Sequence, residues 1–204
     1  MRPTTSRTGP LISAPETPPP PSDEALWQRA TQDDEAAFTE LLHRYSPRLL
    51  GYGRKWSHDD ELVKDCVQDV LAELWLARHR LASPESLRAY LLASVRHRIG
   101  KLTRRAWRFG GSFDETDGDE FTVTFSVEES WIADEAQRQR VEQLNVLVNR
   151  LPQRQREVIY LKFHQNLSQS QIAEVMGIRY QSVSNLLQRT LASLRQEVSA
   201  EGLL

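Results

Sequence analysis

Arg179, Tyr180, Gln181, Ser182, Asn185 and Arg189 crowd together near the C-terminal end of the chain. Their side chains suit hydrogen bonding better than catalysis. Guanidinium and amide groups present paired donors and acceptors of the kind that match base edges in a duplex groove. The residues just before them would hold such a row in place. Ser168 and Gln171 make an S-x-x-Q capping box that starts a short helix, "QSQIAEVM". Gly177 then stands where a tight turn needs positive φ. Ala173 is small, as close helix approach requires, and Ile172, Ile178, Val183 and Leu187 fall on the faces that would pack together. The arrangement predicts a helix-turn-helix whose second helix carries the polar row into the major groove. The competing reading is a helical hairpin with a solvated polar face. The agreement of cap, small residue, glycine and apolar positions favours the helix-turn-helix. Arg154, Arg156 and Lys162 upstream suit phosphate contact, although each alone reads as an ordinary surface charge.

Two further clusters lie in the first half of the chain. "LVKDCVQDVLAELW" places Asp65, Gln68, Asp69, Glu73 and Trp75 on a helix that also has a good apolar face. Acidic groups beside exposed apolar ones suggest a protein partner, because a nucleic-acid surface would avoid them. The next helical stretch is the opposite. Arg88, Arg96, His97, Arg98, Lys101, Arg104 and Arg105 would form a cationic stripe, with Tyr90 and Trp107 nearby. Charge interleaved with aromatic rings suits single-stranded DNA, whose backbone meets the charge while its bases stack. Tyr90 and Trp107 read equally well as packing residues.

The elements that position these clusters follow from periodicity. Residues 1–22 hold most of the prolines and few large apolar side chains, too few to offset the entropy of ordering, so this stretch reads as a disordered tail. From Asp23 apolar residues recur at three- and four-residue steps: Leu26, Trp27, Ala30, Phe38, Leu41, Leu42, Tyr45. Ser46 and Pro47 look like the cap and first turn of a second helix. A long third helix follows through Leu74, and a fourth runs on Leu87, Leu91, Val95, Ile99 and Leu102. Residues 110–133 break the pattern with glycines and acidic charge, and read as a linker between domains at 23–109 and 134–204. "FTVTFSV" within it has β propensity and suits local pairing or an extended segment against a partner. The second domain repeats the helical pattern, with Val158, Ile159 and Phe163 facing inward on a helix opened by Pro152. The fold class is all-α: four helices, a flexible acidic linker, then four more.

Composition narrows the function. Lys and Arg number 26 against 28 Asp and Glu, so the information lies in the blocks, basic from Arg78 to Arg108 and acidic from Asp114 to Glu135. The single cysteine, Cys66, excludes an intramolecular disulfide and fits a reducing cytoplasm. No apolar run approaches bilayer length, so membrane insertion is not expected. The five histidines lack metal-ligand spacing, and no glycine-rich phosphate loop is present, so neither a catalytic centre nor a cofactor is expected.

From about Leu26 to Gln196 this arrangement resembles a bacterial RNA polymerase sigma factor of the extracytoplasmic-function group. "AFTELLHRYSPRLLGYG" and "KDCVQDVLAELW" resemble region two, and "LRAYLLASVRHRIGKLTRR" its following helix. The stretch from Leu151 to Arg195 resembles region four. The resemblance implies that Asp65, Gln68, Asp69 and Trp75 bind the clamp coiled coil of the polymerase largest subunit. It implies that Arg88, Arg96, His97, Arg98, Lys101, Arg104 and Arg105 recognise the −10 element and hold the melted strand. It implies that region four reads the −35 element and touches the polymerase flap. An anti-sigma factor is a common partner in this family. The chain departs from the family pattern at His97, Lys101, Leu71 and Arg179, where Asn, Asp, Phe and a capping Ser or Thr are usual. Two alternatives stand beside this reading: a stand-alone helix-turn-helix regulator, and a protein that occupies polymerase without initiating.

Overall fold

The computed structural model describes residues 20–81, 86–108, 121–125 and 135–200, without the side chains of 104–108 and 135–137. Those residues form two helical bundles. The first contains α1 (Asp23–Ala30), α2 (Glu35–Gly53), α3 (Asp60–Ala77) and α4 (Leu87–Arg108). The second contains α5 (Glu135–Asn149), α6 (Gln153–Ile159), α7 (Gln169–Met176) and α8 (Tyr180–Ala200), with a π-helical turn at Tyr160–His164 after α6. No strand occurs among the described residues.

The first helix break differs from the sequence expectation. The chain turns at Thr31–Asp34, where Asp33 takes a left-handed φ of 66° and the Asp34 carboxylate accepts from the Ala37 N–H to cap α2. Ser46 and Pro47, expected to start a helix, lie inside α2 instead. Proline costs a helix interior roughly 3 kcal/mol, since it cannot donate to the carbonyl four residues back. The helix continues because Leu41, Tyr45, Leu49 and Tyr52 are all buried on one face, on both sides of the proline. Ser46 does not cap; its hydroxyl donates to the Leu42 carbonyl.

Asp59 caps α3, and Val63, Cys66, Val67, Val70 and Leu74 fill the bundle core. Gly53 marks where α2, α3 and α4 converge. A β-carbon there would sit 2.6 Å from Val63 Cγ1 and 3.3 Å from Ile99 Cδ1. Helix α4 buries Leu91, Val95 and Ile99 as expected, while Leu102 is exposed.

Residues 121–125, inside the stretch read as a linker, lie extended against α5. The Asn149 side-chain amide accepts from the Val123 N–H (2.9 Å) and donates to its carbonyl (2.7 Å). Asn145 does the same for Phe125, at 2.7 and 3.1 Å. Two asparagines one helical turn apart thus replace a neighbouring strand. The strand-like alternation of "FTVTF" is satisfied, with Phe121 and Val123 buried and the threonines outward.

The π turn corrects a second expectation. The sequence pattern puts Phe163 inward with Ile159, four residues before it. The wider turn rotates it outward, and it is 56% exposed, while Tyr160 and Leu161 are buried.

The two bundles share one buried core. Helix α4 packs on α7. The rings of Tyr52 and Trp56 from the first bundle meet Phe121 and Tyr160 at centroid distances of 5.2 to 6.1 Å.

Candidate nucleic-acid and polymerase interfaces

The C-terminal polar row is built as the sequence implies. Ser168 caps α7 with a complete capping box shared with Gln171, and Gly177 ends the helix at φ 63°. Ile172, Val175 and Met176 anchor α7, and Val183, Leu187, Thr190 and Leu194 anchor α8. Arg179 stands just before α8 and serves through its backbone: its carbonyl accepts from the N–H groups of Ser182 and Val183. Arg179, Tyr180, Gln181, Ser182, Asn185 and Arg189 are all exposed. Gln181 Nε2 donates to Asn185 Oδ1 at 3.2 Å, so the two amides are held in register one turn apart.

The acidic face of α3 is also exposed at Asp65, Gln68 and Asp69. Trp75 is half-buried, packed on Phe38 with ring centroids 4.8 Å apart and covered by the Arg78 guanidinium at 3.8 Å. Phe38, Leu42, Leu71, Ala72 and Trp75 line a mainly apolar groove between α2 and α3. The sequence reading missed Leu76, which is 69% exposed. Asp65, Gln68, Asp69, Ala72 and Leu76 follow one helical stripe at three- and four-residue steps, and that spacing could have found it.

The cationic residues of α4 do not form one stripe. Arg88 is half-buried, and its Nη1 donates to the Gln165 carbonyl of the second bundle at 3.1 Å. Arg96 forms two hydrogen bonds to the Glu157 carboxylate, at 2.7 and 3.2 Å, and lies 5.1 Å from the Trp56 ring centroid. Arg98 turns the other way, pairing with Asp69 at 2.9 Å and Glu73 at 2.6 Å on α3. His97 and Lys101 point outward, one turn apart. The side chains of Arg104, Arg105 and Trp107 lie outside the described residues, as does the tail through residue 19. Of the three cations suggested as phosphate contacts on the preceding helix, Arg156 is buried and donates to the Asn149 carbonyl.

Electrostatics concentrate at the contact between bundles. Glu157 is fully buried, and Tyr52 Oη donates to its Oε1 at 2.8 Å. Burial, reinforced by the neighbouring Glu157 charge, pushes the Tyr52 hydroxyl well above its ordinary range, so it remains a donor. Burial works against the charge on Arg96, but Glu157 outweighs it and raises that pKa. His164 stacks on Tyr160 at 4.5 Å, and burial together with nearby Lys55 lowers its pKa. Burial raises the pKa of the Cys66 thiol and disfavours its thiolate. Among the described residues, no group of three His, Cys, Asp or Glu side chains could hold a metal ion. Nor is any helix among them long and apolar enough to cross a membrane.

Comparison with known proteins gives these faces a common context. The model for sigma-70 region 2 matches residues 41–109, and the model for sigma-70 region 4 matches residues 142–194. The chain is 26% identical over 188 residues to the ECF RNA polymerase sigma factor RpoE of Cereibacter sphaeroides, covering 87% of this chain and 98% of that protein. It is 27% identical over 179 residues to the RNA polymerase sigma factor NccH of Alcaligenes xylosoxydans xylosoxydans, covering 86% and 94%. In fold it is similar to CnrH solved in complex with the cytosolic domain of CnrY, with a TM-score of 0.57 at 22% identity over 87% of this chain and 97% of that one. It is also similar to the sigma factor RpoE solved in complex with the anti-sigma factor NepR from Bartonella quintana, with a TM-score of 0.54 at 19% identity over 79% and 96%.

Proposed function

The chain belongs to the sigma-70 family of RNA polymerase sigma factors, in its extracytoplasmic-function group, and from that premise we propose how its faces divide the work of promoter recognition. As a sigma factor it directs RNA polymerase to promoters; the polymerase supplies the chemistry. The single observation that carries the division is the exposed row Arg179–Arg189 on a helix fixed by a capped helix-turn-helix. That row reads the −35 duplex. Gln181 and Asn185, held side by side, are the base-reading pair, because amides can pair with adenine in the major groove.

Asp65, Gln68, Asp69 and Trp75 engage the clamp coiled coil of the polymerase largest subunit, with Leu76 as an apolar anchor on the same stripe. An apolar groove edged by Glu35 and Gln68, on a helix whose exposed face also carries Asp65 and Asp69, suits a basic, amphipathic protein element. The same groove suits an anti-sigma factor, a partner class seen in the solved complex of the similar RpoE. The outward residues His97 and Lys101 hold the melted −10 strand, with Arg104 and Arg105 further along α4 and with Arg88 and Arg96 on its neighbouring face; Arg98, paired with Asp69 and Glu73, instead ties α4 to α3. The C-terminal bundle also meets the polymerase flap.

The test is co-purification of the full chain with core polymerase, followed by start-site mapping after run-off transcription on fragmented genomic DNA. Discrete new start sites sharing a −35 and −10 pattern are expected. Stable binding without initiation would reduce the protein to a polymerase-occupying factor.

A further inference from the structure

Residues 1–19 carry more than prolines. Leu11 and Ile12 stand side by side between Pro10 and Pro15, and every charge before Glu16 is basic, at Arg2 and Arg7. An apolar pair behind basic residues matches the groove between α2 and α3 in chemistry. Phe38, Leu42, Leu71, Ala72 and Trp75 line that groove, Glu35 stands at its edge, and exposed Asp65 and Asp69 flank its Gln68 along α3. Its volume of about 560 Å³ falls within the roughly 300–1,000 Å³ of sites that take ligands. The Arg78 guanidinium, 3.8 Å from the Trp75 ring centroid, does not line the groove and supports the ring from outside it. Proline-rich segments suit grooves walled by aromatic rings, because proline fixes φ and less entropy is lost when the segment is laid down extended.

The chain enters the first bundle at the level of this groove. Arg44 Nη1 on α2 donates to the Pro21 carbonyl at 2.8 Å and to the Asp23 carboxylate at 3.0 Å, and Ser22 caps α1. Leu42 and Ser46, which line the groove, stand two residues to either side of Arg44. Two residues make about 200° of helical turn, so Pro21 is held at the height of the groove on the other side of α2. The way round half of a helix about 10–12 Å across is roughly 16–19 Å. The stretch from Ile12 to Pro21 spans up to about 30 Å when extended, enough to bring Leu11 and Ile12 over the groove. We propose that residues 1–19 occupy the α2–α3 groove of their own chain, with Leu11 and Ile12 against Phe38 and Trp75 and with Arg2 and Arg7 toward the α3 carboxylates. A tether this short holds the segment at about millimolar effective concentration, so an intrinsic Kd of about 0.1 mM fills the groove in roughly nine-tenths of the molecules. The docking stands on groove, charge and tether; its consequence rests on the reading of the groove as polymerase-facing. Polymerase then meets a competitor built into the chain, and its apparent affinity falls with the open fraction, about tenfold.

The experiment uses the full chain with Ser13→Cys carrying a nitroxide spin label, placed selectively because the natural Cys66 is buried. Nuclear magnetic resonance signals of the two bundles are compared with the label oxidised and reduced. Selective broadening at Leu42, Leu71, Ala72 and the Trp75 indole is expected. Leu11→Asp combined with Ile12→Asp should abolish it without shifting thermal unfolding. Arg2→Glu combined with Arg7→Glu should weaken it, most strongly at low salt, where exposed charges are least screened. A mixture of spin-labelled chain with isotope-labelled, spin-free chain reports docking between copies and should show no broadening. Broadening in that mixture, broadening confined to other faces, or none at all in the spin-labelled parent would overturn the proposal. Core polymerase is then titrated against the parent and the Leu11→Asp, Ile12→Asp variant, and the variant should bind about tenfold more tightly. Groove broadening with equal polymerase binding supports the docking and sinks instead the assignment of the groove to polymerase.

Discussion

At the residue scale, the pairing of Gln181 with Asn185 leads to a specific expectation. Replacing either with Ala should change −35 preference by about 1–3 kcal/mol for each lost base contact, read as relative run-off from templates that differ at single −35 positions. A uniform loss across templates would mean that these side chains touch backbone. On α3, Asp65→Lys should weaken core polymerase binding while leaving thermal unfolding unchanged, because Asp65 is exposed. Asp69→Lys is a less clean variant, since Asp69 also pairs with Arg98 and its loss would disturb α4. Competition binding to core polymerase checks both. The six exposed residues of the α8 row and the three of the α3 face were legible because periodicity and capping signals say which way a short helix must face. Arg88, Arg96 and Arg98 were not legible in the same way. A count of positive charges does not reveal that each has a carbonyl or carboxylate waiting on another element.

Elements show how far local signals reach. The capping box at Ser168 and the glycine at Gly177 did what such signals do in isolation, because the groups they satisfy are a few residues away. Ser46–Pro47 carried an equally good local signal and it lost. The buried row on both sides of the proline outweighs one missing hydrogen bond. Gly53 is the tertiary counterpart. Gly53→Ala improves helix propensity by about 1 kcal/mol but drives a methyl into Val63 Cγ1, a clash that typically costs about 1–3 kcal/mol. The expected net effect is a modest fall in unfolding temperature, measured by calorimetry. The opposite sign would mean that α3 slides away freely. Asn149→Ala removes both hydrogen bonds to Val123 and should release the extended segment, seen as faster amide exchange at Val123 and Phe125.

For the whole molecule, the bundle contact should depend on pH. His164 has a lowered pKa where it is buried beside Tyr160 and near Lys55. A base that resists protonation in the docked state favours docking most when it is neutral. Docking should therefore be strongest above the ordinary histidine pKa of about 6.5 and weaken as pH falls below it toward the depressed value. Energy transfer between dyes on cysteines introduced at exposed Gln28 of α1 and Gln196 of α8 should drop over that interval, and His164→Gln should flatten the response. A response unchanged by His164→Gln would assign it to other groups. The sequence alone determined the all-α class, the helix-turn-helix and the outward faces of α3 and α8. These follow from hydrophobic period, capping chemistry and charge type, all fixed by neighbours within a turn or two. The tertiary structure decided that Glu157 is buried, that Arg96 is paired and that two asparagines hold Phe121–Phe125 in place of a strand. Those facts depend on groups 20 to 105 positions apart meeting in space. Nothing in the local pattern records such a meeting, because only burial of the shared aromatic core brings those groups together.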